Sequence, residues 1–588
     1  MKGIKSMENR IKAVASARGE RPFDLAIINV NLLNVLTREI YPADIGITGD
    51  CIACVQFAGK SSLSATHVIN GQELWAAPGF IDGHVHNESS MCTPARWTEV
   101  ILPKGTTTVI TDPHEIANVL GTRGVKYMLD ASAGLPLRYY ISTPSCVPSV
   151  PVLESSGAIF TENEIREMLS WERVIAIAEA MDFIGLANQV GSITPIVNVG
   201  QQAGIPIEGH GPGLTGRILQ AYLTAAGPRS SDHESLDCAN MREKVLAGAM
   251  VYARVSSFLN AATELAQAIN STPDPRMFGL CTDDIHPEFL LQNGHLDHGM
   301  RTLIAAGVDP LVVYQMATIN VAHHYGLWNL GAIAPGWLAD IILLDDLEQV
   351  NVKHVITGGI LRVEDGHLIE PILQPVAPLV ENTIHLPPGL SVEDFIPRSD
   401  QKGNTRFNAI DLSNLIDTRI EVINVPVENG KIKFPLPDGL SLAAVVGRHG
   451  QGNPPSLAFI KGYPIQRGAI ASTVSHDSHN LVMIGKNPED LLSAAQSLAE
   501  CGGGLAVMNN GVLLARIQLP IAGLMSPLSL EQIANHESVF KSALGGIGLP
   551  RDATAALLLL TLPVIPQVRL TDRGLVDVIN QRIIPLEA

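Results

Sequence analysis

From residue 78 to about residue 330, short apolar or β-branched runs alternate with longer stretches of helical periodicity. That alternation is the pattern of βα units. The runs stop near His86, Asp112, Ser142, Glu179, His210, His233, Arg254 and Asp283. Eight such runs over roughly 200 residues predict a (β/α)8 barrel. On that fold, reactive side chains cluster where the strands end, and polar residues fall at those ends here.

The segments on either side have a different texture. Residues 24–30 alternate in polarity, and residues 44–47 and 51–55 follow between turn residues. They read as short strands of a small β-sandwich. After the barrel, residues 331–344 return to strand texture and continue through 355–359, as if closing the sandwich from the far side. Residues 370–397 are rich in proline and read as a linker. Beyond about residue 400 strands and helices mix. The expected fold class is therefore α/β, with five parts. Residues 1–77 form the N-terminal part of the sandwich, 78–330 the barrel and 331–375 the returning part of the sandwich. Residues 376–400 form a linker, and 401–588 a C-terminal α+β domain. Within that domain, Asn509, Asn510 and Gly511 predict a hairpin turn, and residues 555–564 a buried element.

A chain of 588 residues is too long for one core, which agrees with several domains. The net charge of −18 argues against nucleic acid or an anionic membrane as a partner and fits a soluble cytoplasmic enzyme. Residues 1–22 lack the apolar centre of a signal peptide. No run of eighteen apolar residues occurs. Cys51 and Cys54 form the only close cysteine pair, and a zinc ribbon needs two. They read as part of a buried strand in a reducing compartment.

The polar residues at the strand ends have a chemistry in common. His84 and His86 are two apart, so on a strand both imidazoles face one side and can reach one ion. Glu179 ends an apolar run, where a carboxylate is costly to bury unless it is paired or metal-bound. His210 and His233 end the next two runs. Asp283 ends the last, where it can bind a cation, accept a proton from water and pass it on. Four histidines and two carboxylates on five strand ends suffice for two divalent ions. Asp284 faces solvent or substrate. Asp112, His114 and Glu115 contact substrate, support the metal ligands, hold an extra ion, or simply form an acidic helix start. His476 and His479 belong to a loop that reaches the barrel mouth or is merely polar. Gly502, Gly503 and Gly504 lack the GKS or GKT of a phosphate loop.

The strings GHVHNESSM (83–91), TDPHEI (111–116), AEAMD (178–182), GHGPGL (209–214), HES (233–235) and CTDD (281–284) resemble the amidohydrolase superfamily and, within it, the bacterial adenine deaminases. The resemblance extends over most of the chain. It implies that His84 and His86 bind the more buried metal, and that His210 and His233 bind the other. Glu179 takes the bridging place that a carboxylated lysine holds in many members, and Asp283 ligates metal and shuttles protons. The ions implied are two Mn²⁺ or Fe²⁺ per subunit, with Zn²⁺ possible. The activity implied is hydrolysis of adenine to hypoxanthine and ammonia by a metal-activated bridging hydroxide attacking C6, with a homodimer or higher homo-oligomer as the assembly. Glu88, Asp112, His114, Glu115, Asp284 and Arg254 are the expected substrate contacts, with Asn87 and His286 close to the pocket. The zinc deaminases built on HxE with PCxxC are a different design, since no PCxxC occurs. Two rivals are a hydrolase of another aminopurine or cyclic amide, and a catalytically dead barrel scaffold.

Overall fold

A computed structural model describes residues 7–257 and 261–588; residues 1–6 of the N-terminal segment lie outside it. The first described element is a helix, Met7–Ala17, in a segment whose polar composition gave no such signal. Its anchor is small: Ala13 packs with Phe23, Cys51 and Ala53.

The two segments flanking the barrel form one nine-stranded sheet, not two separate ones. The join is the antiparallel pair Trp75–Pro78 and Ile341–Asp346, with Ile341 opposite Pro78. The sheet curls until distant parts touch: Ile52 N donates to Trp337 O at 2.9 Å. Ile27, Ile45, Ile341 and Ile356 share the core inside this curl. Residues 331–340, expected as strand, run mostly as loop and turn. Pro335 offers no N–H to a ladder, and Gly336 takes φ +88°, so regular pairing begins only at Ile341. Cys51 is buried and Cys54 half-buried, both as free thiols.

The barrel strands are Phe80–Val85, Thr106–Thr111, Arg138–Thr143, Val174–Ala180, Ile207–Gly209, Ser231–Asp232, Met250–Arg254 and Phe278–Cys281. The first five pair in parallel, as do the last three. Parallel bridges Ile207–Ser230 and Val85–Asp283 join the two sets into a ring. At the second bridge Asp283 N donates to His84 O at 3.0 Å, which sets the last strand end against the first. The architecture is mixed α/β of the TIM-barrel type.

Residues 376–400 are largely irregular, with one short 3₁₀ turn at Val392–Phe395. The C-terminal part is a second nine-stranded sheet with helices Pro488–Cys501 and Leu530–Leu544. Gly504–Asn509 and Val512–Gln518 form the expected hairpin, with Asn510 and Gly511 at φ 51° and 73°, as a type I′ turn requires. Ala555–Leu559 is a short helix with Ala556, Leu557 and Leu558 buried. One apolar core runs from Val85, Cys92 and Trp97 of the barrel to Leu524, Met525 and Phe540 of this part. Among the described residues no helix is long and apolar enough to cross a membrane.

Candidate active site

Six strand-end side chains converge inside the mouth of the ring. Glu179 is at their centre, 3% exposed. Its two oxygens face different partners. Oε1 lies 3.8 Å from His84 Nε2 and 3.4 Å from His86 Nε2. Oε2 lies 2.7 Å from His210 Nδ1 and 3.3 Å from His233 Nε2. Asp283 Oδ1 adds to the first side, 3.7 Å from His84 Nε2 and 3.1 Å from His86 Nε2. One carboxylate thus stands between two donor sets, as a ligand shared by two cations would.

Both carboxylates are held ionised, while the imidazoles shift in opposite directions: His86, His210 and His233 are raised, against burial, by neighbouring carboxylates, and His84 is lowered. Burial alone would raise the Glu179 carboxyl, but hydrogen bonds from His210, His233 and His86 hold it well below its ordinary value. Burial would likewise raise Asp283, and the charge of Arg254 with the His86 hydrogen bond holds it well below. Burial, reinforced by the charge of His233, pushes His84 well below the usual imidazole range. His84 is therefore neutral, and its Nε2 is a buried atom without a hydrogen bond among the described residues. A lone pair aimed at two carboxylates with no proton to share is the arrangement a divalent ion completes. The donor set fits such ions.

The supporting contacts fix these rings. His86 Nδ1 lies 2.9 Å from the carbonyl oxygen of Asp112, and the amide of His210 donates to Tyr222 Oη at 3.2 Å. Asp82, which the sequence did not mark, accepts from the amides of His84 and Thr282 at 3.3 and 3.2 Å. Burial raises its carboxyl to about 7. Asp283 itself has φ 56°, a left-handed backbone that aspartate tolerates better than most residues.

Matches to known proteins run the length of the chain. Residues 75–362 match the amidohydrolase family and residues 416–582 the adenine deaminase C-terminal domain. A Carboxydothermus hydrogenoformans protein named adenine deaminase 2 is 36% identical over 100% of both chains. The Methanothrix thermoacetophila adenine deaminase is 38% identical over 97% of this chain and 98% of its own. The Serratia proteamaculans adenine deaminase is 39% identical over 90% of this chain and 88% of its own. The chain belongs to the adenine deaminase family. It is thereby an amidohydrolase with a buried His/Asp/Glu site suited to divalent metal.

Within this adenine deaminase family member, the remaining candidate residues divide. His114 starts the helix His114–Leu120 and joins the centre, its Nδ1 2.9 Å from Asp112 Oδ2 and 3.5 Å from Glu179 Oε1. Glu88, Glu115 and Asp284 form a separate acidic wall. Ser89 Oγ lies 3.1 Å from Glu115 Oε1 and 2.5 Å from Asp284 Oδ1. Burial and the neighbouring charge of Glu115 raise Glu88 to about 8. Burial also raises Glu115. Glu88, Ser89 and His286 line a pocket together with Val474, His476, Glu537 and Phe540 of the C-terminal part.

Two further residues near the pocket have structural partners. Arg254, an expected substrate contact, donates from Nη1 to Asp283 Oδ2 and Glu234 Oε1, each at 2.5 Å. Its charge is neutralised by the site's own carboxylates. Asn87 is not in the pocket wall. Its amide donates to Cys92 O at 3.0 Å and its oxygen accepts from Tyr139 Oη at 3.2 Å, holding the turn Asn87–Ser90.

Glu234 was missed. Its Oε1 lies 3.4 Å from His233 Nε2, and the only sequence signal was adjacency to a candidate ligand. Asp477 was missed too, although His476 and His479 beside it were noted. Its Oδ1 lies 3.5 Å from His114 Nε2, so the C-terminal loop does reach the barrel mouth.

Proposed function

We propose that this protein hydrolyses adenine to hypoxanthine and ammonia. The observation behind the reading is the placement of Glu179 between two donor sets, within a chain whose whole length matches adenine deaminases. In this reading His84, His86 and Asp283 would hold one divalent ion and His210 and His233 another, with Glu179 available to both. Mn²⁺ or Fe²⁺ suits this set of four imidazoles and two carboxylates, and Zn²⁺ is compatible. Bound ions there supply Lewis acidity and water acidified toward neutrality.

The chain's own groups do the rest. Asp283 is ionised and therefore ready to accept the proton of the water that adds to C6. It then returns that proton to the 6-amino nitrogen, which leaves as ammonia, and the ring keeps oxygen at C6. Arg254 is a positioning residue: it holds Asp283 Oδ2, leaving Oδ1 turned to His84 and His86. On the acidic wall, Glu88 is protonated at neutral pH, so it donates a hydrogen bond. Purine ring nitrogens are acceptors, which gives the wall a role in orienting the base, with Glu115 and Asp284 beside it.

The division of labour follows. Residues 78–330 carry the chemistry, 1–77 and 331–375 brace the barrel, 376–400 connect, and 401–588 roof the mouth. Seven free cysteines suit a reducing, cytoplasmic setting. A homodimer or higher assembly is the proposed state. The test is ammonia release by Mn²⁺-loaded protein from adenine, adenosine, other 6-substituted purines, guanine and cyclic amides. Turnover of adenine above the others supports the reading; turnover of cyclic amides without adenine overturns it.

A further inference from the structure

His114 has two ring nitrogens on opposite edges, and they face different neighbourhoods. Nδ1 is held by Asp112 Oδ2 at 2.9 Å. Nε2 points the other way, is buried, and makes no hydrogen bond among the described residues. Around it stand Cys146, from the loop after the third barrel strand, and Asp477, from the C-terminal loop. The ligand atoms of His114, Cys146 and Asp477 all lie within 4.8 Å of one another, and all three residues are buried.

We propose that His114, Cys146 and Asp477 form a third cation site, distinct from the pair around Glu179, that takes a Zn²⁺-like divalent ion. Tetrahedral zinc with ligand distances of about 2.0 Å places neighbouring N and O donors about 3.3 Å apart. His114 Nε2 and Asp477 Oδ1 are 3.5 Å apart. One nitrogen, one sulfur and one oxygen donor form a borderline-soft set that favours zinc over magnesium or calcium.

The surrounding contacts are those of ligands held in place. A metal-bound histidine commonly donates its other N–H to a carboxylate, as His114 can to Asp112. Ser149 Oγ donates to Asp477 Oδ2 at 2.5 Å, which leaves Oδ1 turned to His114. The Cys146 thiol is buried and has no disulfide partner. The alternative is an ion pair between His114 and Asp477 with the thiol beside it and no ion bound. The proposal does not depend on which ring the protein hydrolyses.

The full-length protein, stripped and reloaded with Zn²⁺ and then dialysed, should retain three ions per chain by elemental analysis. Cys146→Ser and Asp477→Asn should each retain two. Loaded with Co²⁺, the unsubstituted protein should show a near-ultraviolet thiolate-to-cobalt charge-transfer band, and Cys146→Ser should lose it. The cobalt spectrum needs no variant to fold. Two zinc ions and no such band in the unsubstituted protein overturn the proposal. So does a third ion that survives in both variants.

Discussion

At the scale of single residues, Asp283 and Glu179 have separable jobs. Asp283→Asn removes the proton acceptor but keeps the shape, so turnover should fall by about 10²- to 10⁴-fold. Circular dichroism and the melting temperature should barely move, and near-normal ammonia release would refute the assignment. Glu179→Gln removes the group shared by both donor sets. Elemental analysis should then show loss at both positions, not half-occupancy. His449 supplies a pH prediction. Its Nε2 lies 2.8 Å from Ser478 O. Burial, then the charge of Arg448, lowers it from 6.5 to about 3. The native state therefore resists protonation that the unfolded chain accepts. The stability is fully present above pH 6.5 and is lost as pH falls toward 3, by up to about 1.4 kcal/mol per pH unit. His449→Gln, whose amide can still donate to Ser478, should lower the melting temperature less than the unsubstituted protein does between pH 7 and pH 5. Parallel acid limbs would contradict this.

At the scale of elements, the strand ends were the legible part. His86, Glu179, His210 and Asp283 stop apolar runs, and a carboxylate or imidazole there is expensive unless it has a partner. Their neighbours were not legible for a geometric reason. Arg254 reads from sequence as a strand end and a substrate contact, but its partners Glu234 and Asp283 follow other strands, 20 and 29 residues away. Asn87 sits inside a motif, yet its contacts are set by a local turn and by Tyr139. Cys146 and Asp477 are separated by most of the chain and meet only because the C-terminal loop folds back. The fifth strand shows how tightly these ends are set. A Cβ on Gly209 would come within 2.0 Å of Ser231 O on the next strand, a backbone atom that cannot swing away. Gly209→Ala should spread the strands carrying His210 and His233. It should lower the melting temperature by several degrees and cost one ion per chain, because the ligands of one side move; full metal retention would contradict it.

At the scale of the whole molecule, the C-terminal part is not an appendage. The core shared by Val85, Trp97, Met525 and Phe540 has no seam at residue 400. A chain ending at 400 would expose that apolar surface to water. It should accumulate as insoluble protein even though every residue of the two donor sets is retained; a soluble, metal-loaded truncation would show the barrel to be self-sufficient. Proline-rich residues 370–397 lie between the two nine-stranded sheets, where sequence texture changes. It could not show how much apolar surface crosses that boundary, because burial between distant segments leaves no local periodicity.

The roof over the barrel mouth also sets an order of events during synthesis. Every residue of the two donor sets emerges from the ribosome by Asp283, whereas the lining of the mouth extends to Leu558. At typical elongation rates that interval lasts on the order of tens of seconds. Until it ends, the nascent barrel is an open cup in contact with the metal pool of the cell. Afterwards the same ligands are enclosed, and exchange needs the roof to lift. An ion captured in that interval would be chosen by what is abundant while the protein is being made.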